Sequence, residues 1–176
     1  MRPNQIRLAA PTDVILLPAI ERSAGKAFLT IPELAWIASD DVTSEAVHAD
    51  RVQAGTTWVC EDEGRVMGFL SAERMDDDLH IWELAVSLDW QGRGAGRALM
   101  TQAIAYAAGE GLSSVTLTTF KDVPWNAPFY SSMGFKLVFD NVPATLARML
   151  NEEAASGLPA ESRCAMILTV AQKHIS

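Results

Sequence analysis

The sequence predicts a single α/β domain over residues 1–176, with a mixed, mostly antiparallel sheet flanked by helices. Three observations predict it. The chain is long enough to bury one sizeable core, and 49% of its residues are apolar. Short β-rich runs alternate with segments of helical period. Two strand-like runs follow each other across a tight turn, which calls for antiparallel pairing, before the pattern changes to strand–helix–strand.

The elements follow in order. "QIRLA" (5–9) reads as a short strand. "TDVILLPAIERSAGKAF" (12–28) reads as a helix capped by Thr12 or Asp13 and bent or interrupted at Pro18. "LTIPELAWIASDD" reads as irregular, and "TSEAVHADRVQAG" (43–55) as a short helix stopped at Gly55. "TTWVCED" and "RVMGFLSAERM" form a hairpin across Glu63-Gly64, and 76–78 is the next turn. "LHIWELAVSL" (79–88) is apolar on both faces and so reads as a central strand. Residues 94–111 form the clearest helix, with Leu99, Met100, Ala103, Ile104 and Ala107 on one stripe. Then come a strand at 114–119, a short helix at 126–135 with Asn126 as N-cap, and a strand at 135–139. An inserted helix at 143–159 precedes the last strand at 163–170.

The net charge of −8 disfavours nucleic acid or an anionic membrane as partner and favours cations. No apolar run approaches the roughly 20 residues of a membrane span, and the first residues show no signal-peptide core. A cytoplasmic protein is therefore expected, with Cys60 and Cys164 as buried free thiols. His48, His80 and His174 show no metal-ligand spacing, so no metal is expected. Neither a G-x-S-x-G elbow nor a phosphate loop ending in G-K-[ST] occurs.

Glycines at 92, 94 and 96 stand between the central strand and the strongest helix. A helix N-terminus offers unpaired N–H groups and partial positive charge, and glycines let an anion approach the backbone closely. A run of such amides can cradle a pyrophosphate, with Arg93 and Arg97 adding charge. A dinucleotide loop would need G-x-G-x-x-G, but counting from Gly92 the last position is Arg97.

Gln91-Gly92-Arg93-Gly94-Ala95-Gly96 has the form Q-x-x-G-x-G and resembles the coenzyme A pyrophosphate loop of the GNAT N-acetyltransferase superfamily. "ELAVSLDWQGRGAGRALM" is similar to that superfamily's motif A, and "NAPFYSSMGF" to its motif B. The resemblance covers about residues 5–140 and the final strand; the 143–159 helix departs from the minimal pattern. It implies a GNAT-type sheet and direct transfer of acetyl from acetyl-CoA to an amine; the net charge of −8, the inserted helix and the aromatic residues at 28, 36, 82 and 125 favour the primary amine of a small molecule. It also implies that residues 91–97 hold the pyrophosphate, and that Leu84, Ala85 and Val86 hold the pantetheine arm through their backbone, an N–H near Val86 polarising the thioester. Tyr130 matches the family's proton donor to the thiolate, the alternative being a core aromatic alongside Phe129; Asn126 is a candidate ligand to the cofactor or the acceptor as well as a cap, and Phe129 a candidate cofactor contact.

Glu83, an acid inside an apolar strand, is the candidate base; the alternatives are a structural glutamate or a chain of waters. Phe28, Trp36, Trp82 and Trp125 are candidates to line the acceptor pocket. The inserted helix could close over the cleft as a partial lid, pad the sheet, or form a dimer contact. A homodimer is common in such families. The competing functions are acetylation of a protein N-terminus, a module that senses an acyl-CoA without turnover, and a nucleotide-binding regulatory domain.

Overall fold

The computed structural model describes residues 4–170. The strands are β1 (Gln5–Leu8), β2 (Thr57–Asp62), β3 (Arg65–Met75), β4 (Asp78–Val86), β5 (Ser114–Phe120), β6 (Lys136–Val138) and β7 (Arg163–Thr169). The α-helices are α1 (Leu17–Gly25), α2 (Glu45–Gln53), α3 (Ala95–Gly109), α4 (Ala127–Ser132) and α5 (Ala144–Ala155). The seven strands lie in the order β1-β2-β3-β4-β5-β7-β6. β4 and β5 pair in parallel; β1–β2, β2–β3, β5–β7 and β6–β7 are antiparallel. This is the expected mixed sheet. The chain forms two compact units: one from residues up to Arg74 with Ile81–Tyr106, the other from Met75–His80 with the residues from Ala107 on.

In the first unit, Leu17, Ile20, Val52, Val59, Phe69 and Ala85 form a buried cluster beneath α1 and α2. The β2–β3 turn falls where expected. Glu63 and Gly64 both take positive φ, 49° and 78°, the twist that lets a two-residue hairpin turn match its strands. The segment 12–28 departs from its reading as one helix. Pro11–Leu16 is a 3₁₀ turn, α1 begins only at Leu17, and Lys26–Thr30 is a second 3₁₀ turn. Pro18 therefore stands in the first turn of α1, where its missing N–H costs nothing, and does not kink a helix. Neither Thr12 nor Asp13 is the N-cap; Ala10 occupies that position, and its N–H donates back to Asp13 Oδ2 at 2.7 Å. Much of the stretch read as irregular is a further 3₁₀ turn, Pro32–Ser39. α2 is capped by Ser44, whose Oγ accepts from the Val47 N–H.

Asp13 is buried and accepts two hydrogen bonds from the Arg7 guanidinium, at 2.7 and 3.1 Å; Arg7 also donates to Glu61 at 2.8 Å. The Arg7 guanidinium holds the Asp13 carboxyl below the usual carboxylate range, against the opposing effect of burial. A carboxyl with a depressed folded pKa stabilises the fold above its unfolded value, about 3.9, and loses that contribution as pH falls through the folded value. Asp13→Asn should therefore lower stability at pH 7 by about 1–3 kcal/mol. In urea titrations across pH, the gap to wild type should narrow below about pH 4.

In the second unit, β7 lies between β5 and β6. It pairs Ser114↔Thr169 through Phe120↔Arg163 on one side and Lys136↔Ile167 through Val138↔Ala165 on the other. The inserted helix resolves into α5, which buries Leu146 and Met149 against Ala165, with Met75, Leu150 and Ile167 around them. Glu153 of α5 accepts from the Arg163 Nε at 3.0 Å and from the Thr118 hydroxyl. α5 thus packs its apolar face on β7 as a layer of this unit.

α3 buries Leu99, Met100, Ala103 and Ala107 completely, as the stripe predicts; Ile104 is only half-buried. Cys60 and Cys164 are buried and free, and burial pushes both thiols up. His174 lies outside the described residues. Among the described residues no helix is long and apolar enough to cross a membrane.

Candidate functional site

In the first unit, β4 ends at Val86, a 3₁₀ turn covers Leu88–Trp90, and the chain then turns through 91–94 into α3. Gly92 and Gly94 have φ of 76° and 83°. That backbone is cheap only for glycine, so two of the three glycines are required by the turn itself. Gly96 lies in the first turn of α3, where no such demand exists. Space within the protein is not the constraint: a side chain at Gly92 would meet nothing within 4 Å, and one at Gly94 only Asn4 Nδ2 at 3.9 Å. A side chain there would stand in open space.

The turn is tied on three sides. The Gln91 side chain donates to Val86 O at 3.0 Å, linking the loop to the end of β4. Asn4 Nδ2 donates to Arg93 O at 3.1 Å. The Leu88 N–H donates to Ser23 Oγ at the end of α1, at 3.1 Å. Arg93 folds back, donating to Asp89 O at 3.1 Å with its guanidinium 4.6 Å from the centre of the Trp90 ring. The Ala98 N–H closes the first helical bond onto Gly94 O at 3.0 Å. The amides of Ala95, Gly96 and Arg97 precede it and lie in the turn where a helix has no partner of its own to offer. An exposed, glycine-shaped turn leading into a fifteen-residue helix suits a phosphate anion.

Earlier in β4, parallel pairing with β5 comprises Asp78↔Ser114, Leu79↔Val115 and His80↔Thr116, while β4 itself runs on to Val86. Along that continuation Glu83 and Leu84 are half-buried, Ala85 is buried and Val86 is half-buried. Trp82 is 38% exposed and donates from Nε1 to Glu73 Oε2 at 2.9 Å. The Arg51 guanidinium, from α2, sits 5.1 Å from the centre of its ring. Burial pushes the Arg51 guanidinium down, opposed by the nearby carboxylates of Glu73, Glu83 and Glu21. Phe28 and Trp36 stand on the consecutive 3₁₀ turns, Trp36 40% exposed.

In the second unit, Asn126 precedes α4. It occupies the N-cap position, but its side chain makes no capping bond, contrary to expectation. Its backbone does the local work: the Asn126 N–H donates to Val123 O at 2.9 Å, and its carbonyl accepts from the Tyr130 N–H at 3.0 Å. Asn126 Oδ1 is buried and has no hydrogen-bond partner among the described residues, which leaves an acceptor unmatched. Tyr130 is 7% exposed, its ring edge-on to Phe129 at 5.2 Å and to Phe135 at 5.8 Å. Phe129 is half-buried, and Trp125, at the start of the same turn, is exposed. The aromatic candidates are thus divided: Phe28, Trp36 and Trp82 belong to the first unit and Trp125 to the second. Sequence reasoning missed Asn4 and Arg51, which act across 89 and 31 positions of chain, on Arg93 and Trp82 respectively.

Residues 25–135 match the Acetyltransferase (GNAT) family, and the chain belongs to that family. It is similar to an L-2,4-diaminobutyric acid acetyltransferase of Nocardia farcinica (strain IFM 10152), 30% identical over 82 residues, which is 45% of this chain and 42% of that one. It is likewise similar to N-acetyltransferase 8B of Homo sapiens, 32% identical over 85 residues, 45% and 37% of the two chains. The matched stretch spans less than half the length of these curated relatives. Among solved structures, the fold is shared with the PaiA N-acetyltransferase from Thermoplasma acidophilum in complex with coenzyme A. That likeness has a TM-score of 0.69 at 15% identity, covering 96% of this chain and 99% of that one. N-acetylglutamate synthase from Neisseria gonorrhoeae, complexed with coenzyme A and N-acetyl-glutamate, shares it too, with a TM-score of 0.70 at 17% identity, over 98% and 36% of the two chains.

Proposed function

We propose that this protein transfers acetyl from acetyl-CoA to the primary amine of a small molecule, by direct attack within a ternary complex. The observation that carries the proposal is the turn at 91–94, with its two positive-φ glycines and its entry into α3. Family membership and the orphaned Asn126 Oδ1 support it. The relative named for diaminobutyric acid supports a small amine over a protein N-terminus.

In this reading the amides of residues 92–97 bind the pyrophosphate, and the backbone of Leu84–Val86 takes the pantetheine arm. Acetyl-CoA supplies an activated acyl group on a good leaving thiolate. The Val86 N–H stabilises the oxyanion formed when the amine nitrogen attacks the carbonyl. Glu83 accepts the proton that the attacking ammonium must lose. As the carbon–sulfur bond breaks, the Tyr130 hydroxyl delivers a proton to the departing sulfur, and Asn126 and Phe129 hold the cofactor beside it. The products are the N-acetylated amine and free coenzyme A.

Gly94→Val tests the loop. The branched side chain disfavours φ near +83° and intrudes on the anion site. Titration calorimetry should show acetyl-CoA affinity reduced more than tenfold, above about 1.4 kcal/mol. Unchanged affinity in a folded variant would move the cofactor elsewhere.

A further inference from the structure

Arg51 lies in the last turn of α2 and is half-buried. Its guanidinium rests over Trp82, yet among the described residues none of its N–H groups donates a hydrogen bond and it forms no ion pair. A guanidinium carries five donors, and one partly removed from water without acceptors is poised for an anion. Two of the carboxylates around it have other hydrogen-bond partners. Glu73 accepts from Trp82 Nε1. Glu21 accepts from the Thr43 N–H at 3.1 Å and lies 3.5 Å from Nε2 of the fully buried His48. His48 is one helical turn before Arg51 and stacks edge-on against Phe69 at 5.2 Å, which fixes this face of α2. Glu73, Glu83 and Glu21 act on Arg51 through space. Three acids beside one unpaired guanidinium repel a dianion such as phosphate. They suit a zwitterion, which brings one negative and one positive charge.

We propose that Arg51 determines acceptor specificity, and that the acceptor is an amino acid whose carboxylate docks on the Arg51 guanidinium while its amine lies toward Glu83. Trp82 supports the guanidinium from beneath and Glu73 fixes the indole, so the carboxylate meets a preset fork of donors. The assignment rests on the acetyl-transfer reading above, and extends it from an amine to a carboxylate-bearing amine.

The test compares free L-amino acids with their carboxamides, including L-2,4-diaminobutyrate and L-lysine, in an acetyl-CoA thiol-release assay with the purified full chain. Wild type should favour the free acids by roughly 10–100-fold in kcat/KM. Arg51→Gln should erase that preference by raising the amino-acid KM, with the KM for acetyl-CoA held near its wild-type value. Arg51→Lys, which keeps the charge but not the fork, should retain part of the preference. Equal turnover of acids and carboxamides by wild type, or a preference that survives in Arg51→Gln, would overturn the role of Arg51 while acetyl transfer stands. Thiol release from no amine at all would overturn the acetyl-transfer reading and this assignment with it.

Discussion

Replacing Tyr130 by phenylalanine should lower kcat by roughly 10²–10⁴-fold, the range for loss of one general acid, with little change in acetyl-CoA affinity. The substitution keeps the packing of the ring. Tyr130 is 7% exposed and its ring is held edge-on by Phe129 and Phe135. Those contacts involve the ring, which phenylalanine keeps, and the backbone bonds from Phe135 and Met133 to the Tyr130 carbonyl are untouched. A fall in single-turnover rate with acetyl-CoA affinity unchanged therefore reports the hydroxyl's part in the chemistry. The loss should shrink for acyl donors whose thiol leaves more readily, because a better leaving group needs its proton less. A wild-type kcat under conditions where chemistry limits the rate would assign Tyr130 to packing alone.

Glu83→Gln should also lower kcat/KM by roughly 10²-fold or more, and should remove or shift the limb of the pH–rate profile that rises toward alkaline pH. An alkyl ammonium, with pKa near 10, cannot attack until it loses a proton, and the rate follows whichever group takes it. Glutamine keeps the length and shape of the side chain at a half-buried position on β4, and a folded variant is checked by its thermal transition. Nearby Arg51 loses one of three neighbouring carboxylates, with Glu73 and Glu21 remaining. A profile whose rising limb stays in place would transfer the base to a chain of waters or another group.

What the sequence made legible, and what it did not, divides by range. The β2–β3 hairpin, β4, α3 and the 91–97 turn were readable because their signals are local: a Glu-Gly turn, a doubly apolar run, a helical stripe, and alternate glycines just ahead of a helix. The placement of β7 between β5 and β6 depends on pairing with β5 across more than forty positions, and no local pattern announces it. The 12–28 segment misled because Pro18 marks a helix start as well as a break, and only packing of Leu17 and Ile20 decides between them. Asn126 looked like a cap because asparagine usually is one; here the turn is closed by backbone bonds and the side chain is left over. Arg51 reads in sequence as one more polar residue on a surface helix. Its significance arises only when the fold sets it over Trp82 and among acids from β3, β4 and α1.

The central claim, acetyl transfer to a small carboxylate-bearing amine, is tested most directly by one measurement. Purified protein is incubated with acetyl-CoA and each member of an amino-acid and amine panel, while free thiol and N-acetylated product are quantified together. Thiol should appear only when an accepted amine is present, in equal amount to the acetylated amine, and fastest with free amino acids. Acetyl-CoA that binds yet yields no amine-dependent thiol, or thiol released without acetylated product, would contradict it.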